Sequence, residues 1–132
     1  MAQQLSGLIS NIVQGDNLDI TRTIGTLPAP ISKCWFTVKT NAKLSSTTDT
    51  APNVVFQKVI TTANIVGSGV ILDSGGSGTA SVRFELINAD TILLVGDTVY
   101  YYDIQVLTTT GAIYTPELGL IKTKKERTKA VA

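Results

Sequence analysis

The chain has 132 residues, 43% of them apolar and 16% charged, and its eleven Lys and Arg against ten Asp and Glu leave a formal net charge of +1. That size fits one domain, buries enough surface to fold without metals or crosslinks, and leaves no room for two domains. The near-zero charge argues against a dedicated duplex-DNA binder, the absence of histidine removes the commonest near-neutral acid/base and metal ligand, and a single cysteine, Cys34, forms neither an internal disulfide nor a Cys-rich zinc site.

Residues 1–14 are uncharged yet carry Leu5, Leu8, Ile9, Ile12 and Val13. They suit either the domain's own first strand or an arm that adds a strand to a neighbouring subunit's edge, where backbone hydrogen bonds give affinity and alternate side chains give register. The start has neither the charged n-region nor the apolar h-region of a signal peptide, and the apolar run from Ile92 to Val95 is far too short for a membrane span. Synthesis in the cytoplasm, without export by a signal peptide and without membrane insertion, is expected.

Thr, Ile and Val number 19, 13 and 12. These branched side chains are stiff and pack well on a pleated surface, so most of the chain reads as strand. Four segments alternate with period two. In residues 17–24, Leu18, Ile20 and Ile24 share one face and Asp19, Thr21 and Thr23 the other; in 33–39, Cys34, Phe36 and Val38 oppose Lys33, Trp35, Thr37 and Lys39. In 79–86, Ala80, Val82, Phe84 and Leu86 oppose Ser81, Arg83 and Glu85, and in 98–106, Tyr100, Tyr102, Ile104 and Val106 oppose Tyr101, Asp103 and Gln105. One apolar and one polar face mean sheets half-covered by a partner sheet. Less regular candidates are 8–13, 53–60, 68–73, 112–115 and 118–123.

Turn residues punctuate these segments at Gly15, Pro28, Pro30, 45–49, 73–78, Gly96 and Gly111. Seven to nine short antiparallel strands so spaced read as an all-β sandwich, with residues 15–123 as the domain, 1–14 as the arm or first strand and 124–132 as a tail. A helical turn near 88–94, with Asn88 or Asp90 as N-cap, would bridge the two sheets. Residues 122–129, running into the tail, are basic: Lys122, Lys124, Lys125, Arg127 and Lys129 stand against Glu126. They suit an arm docking on an acidic neighbour or on nucleic acid, or a solvated end that keeps the last strand from aggregating.

The glycine cluster at 67–78 lacks the Gly-Lys-Ser/Thr of a phosphate loop and the helix-opening G-x-G-x-x-G, and the carboxylates Asp16, Asp19, Asp73, Asp90, Asp97 and Asp103 form no calcium-loop signature. No catalytic residue, cofactor, metal or small-molecule substrate is expected, so the chain reads as a non-enzyme that binds proteins. Trp35 and Tyr101, on the polar faces of their strands, are candidate partner anchors together with Leu5, Leu8, Ile9, Lys124, Lys125 and Arg127. A loop or the N-terminal arm folded over Trp35 would make it structural. Tyr100, Tyr102, Phe36 and Phe84 are assigned to the core, with an inward tyrosine after the Leu94-Val-Gly-Asp loop capping nearby backbone through its hydroxyl.

Asp90-Thr-Ile-Leu-Leu-Val-Gly-Asp-Thr-Val-Tyr-Tyr-Tyr-Asp-Ile-Gln-Val106, followed by Gly111-Ala-Ile-Tyr-Thr-Pro-Glu-Leu-Gly-Leu-Ile121, resembles the immunoglobulin-like domain of tailed-phage virion proteins, including the N-terminal domain of upper-baseplate proteins. Gly15-Asp-Asn-Leu-Asp-Ile-Thr-Arg-Thr-Ile24 and Trp35-Phe-Thr-Val-Lys39 fit the same pattern, so the resemblance covers about residues 15–123. It implies a non-catalytic structural protein of a phage virion that binds capsid or tail subunits and associates with itself. The chain is shorter than the baseplate proteins, and a stand-alone capsid decoration or cement protein is the expected role. A baseplate, tail or head-to-tail adaptor of the same fold, and an adhesion module stacking glycans on Trp35, Tyr101 or Tyr114, are the alternatives. Nucleic acid is not an expected partner.

Overall fold

The computed structural model of the chain describes residues 7–40, 54–62, 68–75 and 78–124. Within them run β1 (Gly7–Val13), β2 (Leu18–Thr26), β3 (Ile31–Lys39), β4 (Val54–Thr61), β5 (Gly69–Asp73), β6 (Thr79–Leu86), α1 (Asn88–Thr91), β7 (Val99–Thr108) and β8 (Ile113–Lys124). They form two sheets, ordered β1-β8-β7-β3-β4 and β2-β6-β5. Apart from β1, this is the two-sheet order of an immunoglobulin-like sandwich. The candidate turns at 45–49 and 76–77 lie outside the described residues.

Gly7–Val13 is the sandwich's own first strand. It pairs parallel with β8, Gly7 beside Gly119 and Val13 beside Lys124, whereas every other pairing is antiparallel. The expected all-β antiparallel sandwich is what the described strands form, with β1–β8 as the one parallel pair among them. The short turn after Val13, closed by the Asp16 N–H donating to the Val13 carbonyl at 3.0 Å, carries the chain from one sheet to the other, so β1 cannot form a hairpin with β2. It is left to pair with the last strand.

Period two sets the core. Cys34, Phe36 and Val38 of β3 and Tyr100, Tyr102, Ile104 and Val106 of β7 face Ile20 of β2 and Ala80, Val82, Phe84 and Leu86 of β6, all of them buried. The Phe36 ring lies 5.3 Å from that of Phe84 across the sandwich and 5.4 Å from that of Tyr102. Burial pushes the Cys34 thiol far above the usual cysteine range, so it acts as a small apolar group. Gly7 and Gly119 sit side by side under the Tyr102 ring; a Cβ on either would collide with it.

The candidates 112–115 and 118–123 merge into the single strand β8. Pro116 interrupts the sequence pattern but costs the sheet little. Pairing with β7 jumps from Glu117–Ile104 to Tyr114–Val106, a bulge that leaves Pro116 outside the ladder with β7. A missing N–H is tolerated at such a place.

α1 bridges the sheets, but its N-cap is Ile87 rather than Asn88 or Asp90. Asp90, three residues on, accepts from the Ile87 N–H at 3.0 Å, half of a capping box. The Asn88 amide instead donates to the Gly15 carbonyl at 2.6 Å, and Thr91 Oγ1 donates to the Asp16 carbonyl at 2.7 Å, tying α1 to the β1–β2 turn. Just beyond, the Val95 N–H donates to the Tyr100 hydroxyl at 2.9 Å while the ring fills the core. Tyr100→Phe keeps the ring and removes the acceptor. We expect it to lower stability by about 1 kcal/mol, read from urea denaturation, with the fold retained.

Candidate functional site

Three charge pairs brace the sandwich, none visible as a sequence motif. Arg22 Nε lies 3.0 Å from Glu117 Oε2 and joins the two sheets, and the Tyr102 hydroxyl donates to the same carboxylate oxygen. Arg22 falls on the face of β2 that also carries Leu18, Ile20 and Ile24, so its charge has to find a partner at the rim of the core. Lys58, on the inward face of β4, reaches Asp90 of α1 at 2.7 Å. On the outer face of the larger sheet Lys39 stands 3.4 Å from Asp103, both side chains almost wholly buried.

That outer face is polar yet covered. Thr37 and Gln105 are buried beside the Lys39–Asp103 pair, and Gln57 Nε2 donates to Thr37 Oγ1 at 2.8 Å. Trp35 lies in the same row and keeps only 7% of its surface. The expectation of Trp35 as an accessible anchor is therefore corrected. Strand alternation puts its ring on the outer face, yet the ring is buried, with the Lys33 ammonium 5.8 Å from its centroid. Ile9 is also corrected from interface to core, because β1 turns it inward with Ile12. Leu8 is 56% exposed and Tyr101 half-buried on the outer face, Lys124 is exposed at the end of β8, and Leu5, Lys125 and Arg127 lie outside the described residues. The assigned core residues Tyr100, Tyr102, Phe36 and Phe84 are all buried.

The exposed apolar side chains gather elsewhere, at the corner between α1 and β7. Ile92, Leu93, Val95 and Val99 expose 50%, 51%, 59% and 47% of their surfaces, with Ile87 beside them, while Thr91 and Leu94 between them are fully buried. The corner is held fast. Gln14 Nε2 donates to the Ile92 carbonyl at 2.9 Å, Thr123 Oγ1 donates to the Val95 carbonyl, and Thr123 Oγ1 accepts from the Thr98 N–H at 2.9 Å. The sequence placed 92–94 in a helical turn and Val95 in the loop that follows. The available signal was four apolar residues in a row, of which one short turn can bury only one. Five of the nine exposed large apolar side chains among the described residues thus fall between residues 87 and 99.

Among the described residues no group of three or more His, Cys, Asp or Glu side chains is placed to hold a metal, and no helix is long and apolar enough to cross a membrane. No protein-family model matches the chain, and no curated protein matches it.

Two measurements check the charge network. Lys39→Ala removes the ammonium 3.4 Å from the buried Asp103 carboxylate, and we expect a loss of about 3–5 kcal/mol, with the Lys39→Ala/Asp103→Ala double variant losing less than the sum of the two singles. Burial, reinforced by the Glu117 carboxylate and opposed by Arg22, raises the Tyr102 phenol well above its ordinary value of 10.0. A raised value means that the folded state keeps a proton which the unfolded state releases. The contribution of Tyr102 is thus complete below about pH 10 and is lost as pH rises further. Tm should fall above pH 10, and the fall should be shallower in Tyr102→Phe.

Proposed function

We propose that the chain is a non-catalytic structural protein of a tailed-phage virion, acting as a capsid decoration protein that docks on neighbouring capsid subunits. The observation that carries this is the corner at Ile92, Leu93, Val95 and Val99, where four large apolar side chains stand about half exposed on a loop pinned from three sides. A preformed apolar patch associates with little ordering cost, because its backbone is already fixed. The likeness of residues 15–123 to immunoglobulin-like virion domains supports the phage assignment, and the strand order of the two sheets agrees with it. The glycan-binding alternative loses support, since the ring of Trp35 is covered.

Each decoration contact is modest in area, and repetition over a symmetric shell turns it into durable attachment. The test is co-sedimentation of the purified protein with undecorated heads. Saturable binding at micromolar concentration and in hundreds of copies is expected, together with greater resistance of the heads to heating. Leu93→Asp/Val95→Asp should abolish binding while leaving Tm within a few degrees of wild type, because both side chains already face water. Absence of binding to heads refutes the decoration role; binding in dozens of copies at a tail or neck assigns the chain to an adaptor instead.

A further inference from the structure

We propose that β1 is a self-association edge, along which two copies of this chain pair antiparallel and join their five-stranded sheets. This is independent of the virion assignment and of the apolar corner.

β1 closes one side of the larger sheet. Among the described residues it pairs with β8 alone, so its other side presents backbone donors and acceptors. Proteins normally blunt such an edge with charge or proline. β2 carries Asp19 and Arg22, β4 carries Lys58 and β5 carries Asp73, whereas the seven residues of β1, Gly-Leu-Ile-Ser-Asn-Ile-Val, include neither charge nor proline. β1 is also anchored. Ile9 and Ile12 are buried in the core, and Gly7 lies against the Tyr102 hydroxyl and Glu117.

The occupant follows from the chemistry of the edge. It has to be an extended strand, free of charge where side chains meet, with an open edge of its own. The β1 of a second copy meets all three conditions, and a two-fold axis satisfies both edges at once.

Alternation then restricts the two-fold axis to a residue rather than a peptide, and the bulge beyond Ser10 favours Ile9. Directly opposed residues of an antiparallel pair share one face, Leu8 and Ser10 point outward, and Ile9 points inward. Centring the axis on Ile9 sets Leu8 opposite Ser10 of the partner subunit, and Ser10 opposite Leu8 of the partner subunit. A centre one half-step away would oppose outward and inward side chains. The register shift between Ser10 and Ile12 ends the straight part of the edge at the same place.

Size sets the strength. With the axis on Ile9, residues 7–11 of each copy oppose one another; five residues at ~3.3 Å each make an edge about 17 Å long, and with a sheet about 10 Å deep the contact covers roughly 170 Å² per copy, well below the ~800 Å² per partner of a stable complex. The dimer is therefore weak and concentration-dependent.

Sedimentation from micromolar to millimolar concentration should show a reversible monomer–dimer equilibrium. Leu8→Lys/Ser10→Lys, at two exposed positions, should abolish it without changing Tm, while Leu93→Asp should leave it intact. Because opposed Cα atoms about 4.5–5.5 Å apart suit a disulfide, mixed Leu8→Cys and Ser10→Cys proteins should crosslink to one another under mild oxidation. They should do so faster than either reacts with a Leu72→Cys protein, whose cysteine sits exposed on β5. A wild type that stays monomeric at millimolar concentration, a dimer indifferent to the two lysines, or crosslinking no faster than to the Leu72→Cys control would each overturn the proposal.

Discussion

The ring stack of Phe84, Phe36 and Tyr102 holds the two sheets together, and the rest of the molecule is arranged around it. Phe84 comes from the three-stranded sheet and Phe36 and Tyr102 from the five-stranded one, with centroids 5.3 and 5.4 Å apart. In disulfide-bearing immunoglobulin domains a covalent bridge packed on a tryptophan occupies this middle ground. Here three tilted rings do so through burial and ring–ring attraction, each pair contributing about 0.5–1.5 kcal/mol beyond its area. The single thiol nearby, Cys34, remains an apolar filler.

From that stack the constraints run outward along Tyr102. Its ring needs the space left by Gly7 and Gly119, which fixes where β1 meets β8. Its hydroxyl needs Glu117, and Glu117 in turn compensates Arg22 from the opposite sheet. One aromatic residue thereby sets the position of the first strand, the register of the last and the closure of one side of the sandwich. Tyr100, two residues earlier on the same face, fixes the corner by accepting the Val95 N–H. The placement of both exposed features, the edge of β1 and the apolar corner, depends on these two tyrosines.

The strands were legible because half-buried sheets impose period two on side chains, and branched residues fill so much of the sequence. Residues 79–86 were read to the residue, and β3 and β7 differed only at their ends. What escaped was non-local. Nothing near Pro116 discloses that a bulge opposite β7 makes a proline harmless there. The N-cap was missed because Asn88 has a better partner in Gly15, 73 residues away. The inward parity of Arg22 and Lys58 was present in the sequence, but the partners that make those charges tolerable, Glu117 and Asp90, are supplied by strand order and by α1. Trp35 was rightly placed on the outer face and wrongly taken as accessible, since alternation tells which way a side chain points and not what lies beside it.

The apolar corner was overlooked for a related reason. A run of four apolar residues looks like core when counted by composition, yet a helix of four residues has one buried side, taken here by Thr91 and, one turn on, by Leu94. Burying Ile92, Leu93 and Val95 as well would require a second layer over α1. Instead, hydrogen bonds from Gln14, Thr91 and Thr123 pin the backbone, and the side chains face water. Fixing a loop by polar contacts while exposing its apolar groups is unfavourable for the isolated domain and favourable for a domain that works in contact with others. The apolar corner and the edge of β1 lie on different parts of the sandwich, so a contact proposed at one leaves the other open. On the proposed role, that separation lets a small rigid module both attach to a lattice and link neighbouring sites on it, with each interface weak enough to correct its register before the next one forms.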